Sequence, residues 1–336
     1  MSKKLWQPSL IVKKNSNLFA FENYISKKLK IKFNRNYKNL LNWSIKNSPE
    51  FWSRFWDFSK IKGTKSKKKF RKSKTFYKNL FLPGSRLNFG ENLLSKNNNE
   101  KAVTFISENG FREERSWRQL NLNTNKISKF LKKINIKKGD RVAAYMPNTI
   151  ETVEAFIATT SLGGIWSSCS PDFGSKGVIE RFSQINPKVL FITDQYFYNG
   201  KKIDVLKRLP EILKLIPSIK SVVISNYPGK KFIKNKFKFK KINFFKWNKL
   251  MQINAEKINF KRFDFETELA ILYSSGTTGK PKCICHRSGG VLIQHMKEHQ
   301  LHCNIKENDN VFYFTTCGWM MWNWLVSSLA SKASIV

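Results

Sequence analysis

Leu269-Ala270-Ile271-Leu272-Tyr273-Ser274-Ser275-Gly276-Thr277-Thr278-Gly279-Lys280-Pro281-Lys282 is the stretch that decides the fold. Its first four residues form an apolar run of strand length, and seven consecutive Ser, Thr, Gly and Lys residues begin at Ser274. Ligands of open α/β sheets bind at strand ends. Two glycines let backbone N–H groups turn inward, four hydroxyls add donors, and Lys280 and Lys282 add positive charge, which together suit the β- and γ-phosphates of a nucleotide. A Walker A loop would need glycine at Ser274 and Ser or Thr at Pro281, so a P-loop NTPase is disfavoured. Pro281 drives Lys280 toward an extended conformation, so a strand over Lys282–Cys285, and not a helix, is expected next.

Outward from this loop, apolar runs alternate with helix-period segments. Gly139-Asp140 introduces a strand at Arg141–Met146, a helix at Thr149–Leu162 and a strand at Ile165–Cys169, which is a βαβ unit. Further strands are expected at Val189–Thr193, Ser221–Ser225, Leu269–Tyr273 and Val311–Thr315, with helices at Ile203–Leu215, Ser288–His302 and Trp319–Ser331. The fold class is therefore α/β, with mainly parallel sheets flanked by helices. Residues 226–264, rich in Lys, Phe and Asn, show no clean period and read as a surface excursion with one strand at most.

Residues 1–95 read as a helical, aromatic-rich module, with a helix starting at Ser48-Pro49 and running through Phe51–Phe58. The polar break Lys96-Asn97-Asn98-Asn99-Glu100 then marks a boundary, giving two expected domains, 1–95 and 100–336.

With 336 residues and 41% hydrophobic composition, the chain has ample core-forming material. Five scattered cysteines do not make a disulfide framework, which fits a reducing compartment such as the cytoplasm. The basic start Met-Ser-Lys-Lys meets new charge at Lys13 and Lys14 before any apolar run of signal-peptide length. Asn310–Ser331 is uncharged and long enough to span a bilayer, but its hydroxyls, Gly318 and Asn323 fit a buried strand–helix pair better. The net charge of +39 is unevenly placed: residues 1–138 hold 34 basic and 8 acidic side chains, whereas 139–199 hold 4 and 6 and 265–336 hold 6 and 5. The segments expected to carry chemistry are thus nearly neutral. The dense run Lys65–Lys74 lacks the aromatic interleaving of a nucleic-acid surface, so solvated lysine is the better reading.

The loop Ser274–Lys282 resembles the signature of the adenylate-forming superfamily of acyl-CoA synthetases, luciferases and peptide-synthetase adenylation domains. Four further segments, Leu5–Ser9, Phe51–Gly63, Leu82–Leu94 and Thr315–Trp324, are similar to the acetoacetyl-CoA synthetase branch, the run Gly318-Trp319-Met320-Met321-Trp322-Asn323-Trp324 being the most discriminating. The resemblance implies a ligase that uses ATP, CoA and Mg²⁺ to activate acetoacetate as an acyl-adenylate. It implies phosphate contacts from Thr277, Thr278, Gly279 and Lys280, supported by Ser274, Ser275 and Gly276, and an acyl-side wall at Gly318 and Trp319. Trp322 and Trp324 are expected to pack, and Cys317 stands where the family pattern leads us to expect a hydroxyl. The adenylation lysine, the metal-facing Glu and the ribose Asp of the family are expected beyond Val336, so no catalytic residue is assigned. On that reading the 336 residues form an N-terminal portion unable to turn over alone. Oligomeric state is left open.

Two other readings compete. His295-Met296-Lys297-Glu298-His299 fits an inverted zinc-peptidase motif, but only Glu307 and Asp309 follow it as carboxylate ligands, so no metal residues are assigned. Cys283, Cys285, His286, His302 and Cys303 lack paired Cys-x-x-Cys spacing. A basic nucleic-acid-binding protein is the non-enzyme alternative, and an acetate or propionate ligase the alternative within the enzyme class.

Overall fold

The computed structural model describes residues 5–233, 237, 239–274 and 279–336. Its centre is a seven-stranded sheet: β1 (Arg141–Tyr145), β2 (Ile165–Cys169), β3 (Val189–Thr193), β4 (Ser221–Ser225), β5 (Asn243–Lys246), β6 (Glu268–Ser274) and β7 (Lys282–Arg287). The spatial order is β5-β4-β3-β1-β2-β6-β7, with every pair parallel except β6–β7. Five of these strands were legible as short apolar runs flanked by Gly, Pro or polar residues, because strands buried on both faces need no polar alternation.

Twelve helices are labelled here: α1 (Leu10–Lys14), α2 (Asn17–Leu29), α3 (Tyr37–Lys46), α4 (Ser48–Phe58), α5 (Phe89–Leu93), α6 (Trp117–Lys133), α7 (Ile150–Ser161), α8 (Ser175–Phe182), α9 (Leu209–Leu215), α10 (Trp247–Leu250), α11 (Ser288–Lys297) and α12 (Met320–Ser327). Pro49 sits in the first turn of α4, where its missing N–H costs nothing. A capping box between Ser116 and Gln119 starts α6.

Side-chain alternation divides the core in two. Val142 and Ala144 of β1, with Val189 and Phe191 of β3, join α6 and α7 and the N-terminal helices on one face. Ala143 and Tyr145, with Leu190 and Ile192, join α8 and α9 on the other. The β1–β2 connection therefore crosses one face and the β2–β3 and β3–β4 connections the opposite one, the arrangement of a doubly wound sheet. On α7, Glu154 is fully buried between Asn123 Nδ2 at 2.8 Å and Arg115 Nε at 3.4 Å. Burial pushes its carboxyl up to about 8 against the opposing pull of Arg115.

A second sheet runs Asn310–Val311, Ser334–Ile335, Lys101–Ile106 and Arg112–Ser116, its first three strands parallel and the last antiparallel. The first 95 residues are not purely helical: Gly63–Thr64 and Arg86–Leu87 pair and extend to Phe263–Asp264. Asn88, fully buried, donates from Nδ2 to Ser161 O and Lys261 O, both at 2.8 Å.

Three expectations need correcting. Strand pairing at Val311–Thr315 stops at Val311, and Phe312 and Phe314 are exposed. The helix expected from Ile203 is replaced at first by a hairpin, Gln195–Tyr198 with Lys201–Asp204, and helix begins only at Leu206. The excursion at 226–264 holds two strands, Asn243–Lys246 and Phe263–Asp264. Its start is fixed by the buried Asp194 carboxylate, which accepts N–H groups from Tyr227 at 2.8 Å and Ile233 at 2.9 Å. Among the described residues no helix is long and apolar enough to cross a membrane.

Candidate active site at the carboxyl edge of the sheet

Six parallel strands direct their carboxyl ends to one edge, and the polar loop after β6 lies there. The β6–β7 ladder places Ser274 opposite Lys282, so the loop closes a hairpin and continues into a strand, as Pro281 led us to expect. Tyr273, next to last in β6, shares a 3.1 Å hydrogen bond with Ser167 Oγ of β2, whose hydroxyl donates to Ile271 O at 2.9 Å. At the other end of the loop, Gln184 Nε2 donates to Pro281 O at 2.9 Å. Gly279 has φ +92°, a left-handed conformation that side-chain-bearing residues adopt only under strain. Gly279 and Lys280 are exposed, and Lys280 makes no ion pair among the described residues. Ser275, Gly276, Thr277 and Thr278 lie outside the described residues.

The segment Cys317–Trp319 forms a second wall against the ends of β1 and β2. Ser168 Oγ of β2 donates to Cys317 O at 2.6 Å and accepts from Trp166 Nε1 at 3.0 Å, while Cys317 Sγ donates to Met146 O at 2.8 Å. The thiol thus has a structural role that the sequence did not reveal, and burial raises its pKa well above the ordinary range. A Cβ built on Gly318 would stand 3.5 Å from Phe173 Cε2 and 3.6 Å from Ser170 N, so Gly318 faces the Phe173 ring with room for no more than a methyl group at ordinary contact distance. Trp319 is 58% exposed at the start of α12.

Trp322 and Trp324 point inward, as expected of packing residues. Trp322 is fully buried, near-parallel to Trp166 with centroids 6.5 Å apart, and donates from Nε1 to Asn148 Oδ1 at 2.7 Å. Trp324 Nε1 donates to Glu298 Oε2 at 3.1 Å.

That last contact disposes of the peptidase motif. His295 Nδ1 meets Ser327 Oγ at 2.7 Å, and His299 Nε2 lies 3.0 Å from Trp324 O, so both rings join α11 and its π-helical extension to α12. Burial pushes the two imidazoles down to about 3 and about 4, keeping them neutral. Among the described residues no three His, Cys, Asp or Glu side chains gather as a metal site.

One group at this edge had no sequence signal. Arg208 Nη1 donates to Pro171 O at 2.8 Å, Phe173 O at 2.9 Å and the Tyr145 hydroxyl, while Tyr145 Oη donates to Phe173 O at 2.5 Å. These bonds fix the loop after β2, in which Ser170 Oγ donates to Asp172 Oδ2 at 2.5 Å. The partners are distant in sequence, so no local pattern could reveal them. Chemically, the edge offers an exposed lysine and a left-handed glycine beside a neutral wall with an exposed indole, a setting for a polyanion with a small organic group.

Residues 92–336 match the family of AMP-binding enzymes. Over its full length the chain is 38% identical to acetoacetyl-CoA synthetase of Gallus gallus, of which it covers 51%. A 98% span is 38% identical to acetoacetyl-coenzyme A synthetase of Rhizobium meliloti (strain 1021), covering 50% of that protein. The solved structure of acetoacetyl-CoA synthetase from Streptomyces lividans superposes with a TM-score of 0.92 at 30% identity, over 100% of this chain and 51% of that one. The chain spans about half the length of the relatives it matches. The family match covers most of the chain and includes both the polar hairpin loop and the Cys317–Trp319 wall, and so the chain belongs to the AMP-binding enzyme family.

Proposed function

We propose that the chain carries the nucleotide-phosphate and acyl-binding portion of an acetoacetate–CoA ligase located in the cytoplasm. The observation that carries this reading is the polar hairpin loop at the carboxyl edge of a parallel sheet, set beside the Gly318–Trp319 wall. The likeness to named acetoacetyl-CoA synthetases supports the choice of acid. In the reaction, the acid's carboxylate oxygen attacks the α-phosphorus of ATP and the bond to pyrophosphate breaks. The CoA sulfur then attacks the acyl carbon and AMP leaves.

Thr277, Thr278, Gly279 and Lys280 are assigned to the departing phosphates, backed by Ser274, Ser275 and Gly276, where fixed N–H and ammonium donors neutralise growing charge. Gly318 and Trp319 are assigned to the acyl side, where a rigid indole limits chain length. Among the described residues no three His, Cys, Asp or Glu side chains gather to hold Mg²⁺. Residues 1–95 are proposed as an N-terminal module and 100–336 as the adenylation domain. Free cysteines at Cys283, Cys285 and Cys303, all exposed, accord with a reducing compartment.

Calorimetric titration with MgATP tests the phosphate assignment. Saturable binding is expected, weakened about tenfold in Lys280→Ala, the scale of one charge-assisted contact. No saturable heat at millimolar ATP overturns it, and ATP-independent, salt-sensitive binding of nucleic acid would favour the basic-protein alternative. Acid-dependent ATP–pyrophosphate exchange by the complete gene product then separates acetoacetate from acetate and propionate.

A further inference from the structure

Between the two walls stands α8 with the turn that follows it, and Arg181 reaches both walls while Gln184 reaches the loop stem. The Arg181 guanidinium lies 4.3 Å from the centroid of Phe173 and 5.8 Å from that of Tyr273, while its Nη1 donates to Gly177 O at 2.8 Å. It has no carboxylate partner among the described residues, so its charge is met by two aromatic faces and one carbonyl. One turn on, Gln184 Nε2 holds Pro281 O at 2.9 Å, and its Oε1 lies 3.7 Å from Cys283 Sγ. Phe173 in turn faces Gly318, where an added Cβ would stand 3.5 Å from its Cε2, and its carbonyl is fixed by Arg208 and Tyr145. An unbroken series of contacts therefore runs from both stems of the polar loop, through Arg181 and Gln184, to Phe173 and Gly318.

We propose that Arg181 and Gln184 are positioning residues that set the acyl-side wall against the phosphate loop, so that a nucleotide held by the loop steadies the Phe173–Gly318 contact. This rests on the ATP reading above. The physical reason is that a planar guanidinium stacks on two rings at once while keeping a charge that attracts an approaching anion. Gln184 acts on the loop stem alone. The loss of Arg181 uncouples the walls without removing the cradle, and the loss of Gln184 loosens the cradle itself.

Hydrogen exchange with and without MgATP reads this directly in the full chain. In the unsubstituted protein, ATP slows amide exchange across 273–283 and also across 168–174 and 316–319. Arg181→Ala retains ATP affinity within about threefold but loses most of an about tenfold protection at 168–174 and 316–319. Arg181→Lys restores part of it, and the shorter, uncharged Arg181→Met does not. Gln184→Ala weakens ATP itself several-fold. A merely structural role predicts faster exchange in all variants already without ATP, and that result would overturn the proposal. Full ATP-driven protection at 168–174 in Arg181→Ala would do the same. Absence of any ATP binding by the unsubstituted protein would overturn the ligase reading first, and this proposal with it.

Discussion

At the seam between α11 and α12, the side chains that look most like ligands are all engaged: His295 with Ser327, His299 with Trp324 O, and Glu298 with the Trp324 indole. At the carboxyl edge of the sheet, Lys280 and Trp319 face solvent, and Arg181 has only rings and a carbonyl. Both regions lie in one chain, and the His-x-x-Glu-His pattern is the more familiar motif. The difference teaches that residue type marks a site only where polar capacity is left over after folding. At the seam, folding uses all of it except His299 Nδ1, which is buried without a hydrogen-bond partner among the described residues; at the edge, it stays open to solvent.

The largest test of this contrast compares two tryptophans three residues apart. Trp322→Ala should cost about 3–5 kcal/mol in urea unfolding, as a fully buried indole with a hydrogen bond, and Trp319→Ala within about 0.5 kcal/mol. Comparable losses at both would erase the distinction between wall and core.

Next in size is the pH response of the seam. Burial holds His295 and His299 below their ordinary 6.5, at about 3 and about 4, so between those values and 6.5 the unfolded chain binds more protons. Their stabilising contribution is present above 6.5 and falls as pH drops through that window, by at most about 1.4 kcal/mol per pH unit for each ring. Urea midpoints from pH 7 to 4 should show this slope, and His295→Leu should remove about one proton of it. An unchanged slope would mean the ring is not held neutral.

Glu154 provides the opposite sign. Its carboxyl is raised from 4.5 to about 8, so the folded chain binds the extra proton and stability declines as pH rises from about 4.5 to 8. Glu154→Gln should flatten that decline, with the two forms converging below pH 4.5; an unchanged decline would show that Arg115 compensates the buried charge in full. The smallest effect is Gly318→Ala. The new methyl meets only ordinary contacts at 3.5 Å and beyond, so the unfolding midpoint should stay within about 0.5 kcal/mol while affinity for the acid falls. Unchanged acid affinity would remove Gly318 from the wall.

Much of the sheet was legible because parallel strands buried on both faces are short apolar runs, and those at Ile165–Cys169, Val189–Thr193 and Ser221–Ser225 have the predicted bounds. The run Val311–Thr315 has the same look, but Phe312 and Phe314 find no ladder partner, and composition does not say whether a partner exists. The hairpin around Asn199-Gly200 did carry a signal: both residues have positive φ, 50° and 70°, which Asn-Gly favours in tight turns, and this outranks the helical period that follows. Lys280, Gly318 and Trp319 could be named from sequence. Arg181, Gln184 and Arg208 could not, because each acts through carbonyls or rings that only the tertiary fold brings near.

Asp194 has a consequence beyond the bonds it accepts. By tying Tyr227 and Ile233 back to the end of β3, it fastens the start of the stretch that leads to β5, so the chain between Ile233 and Asn243 is held at both ends by the sheet. A segment fastened at its root can change length, composition and charge without shifting the register behind it. Twelve of the 18 basic side chains between 200 and 264 follow Tyr227, so much of the net charge of +39 sits apart in sequence from the segments where the chemistry is expected.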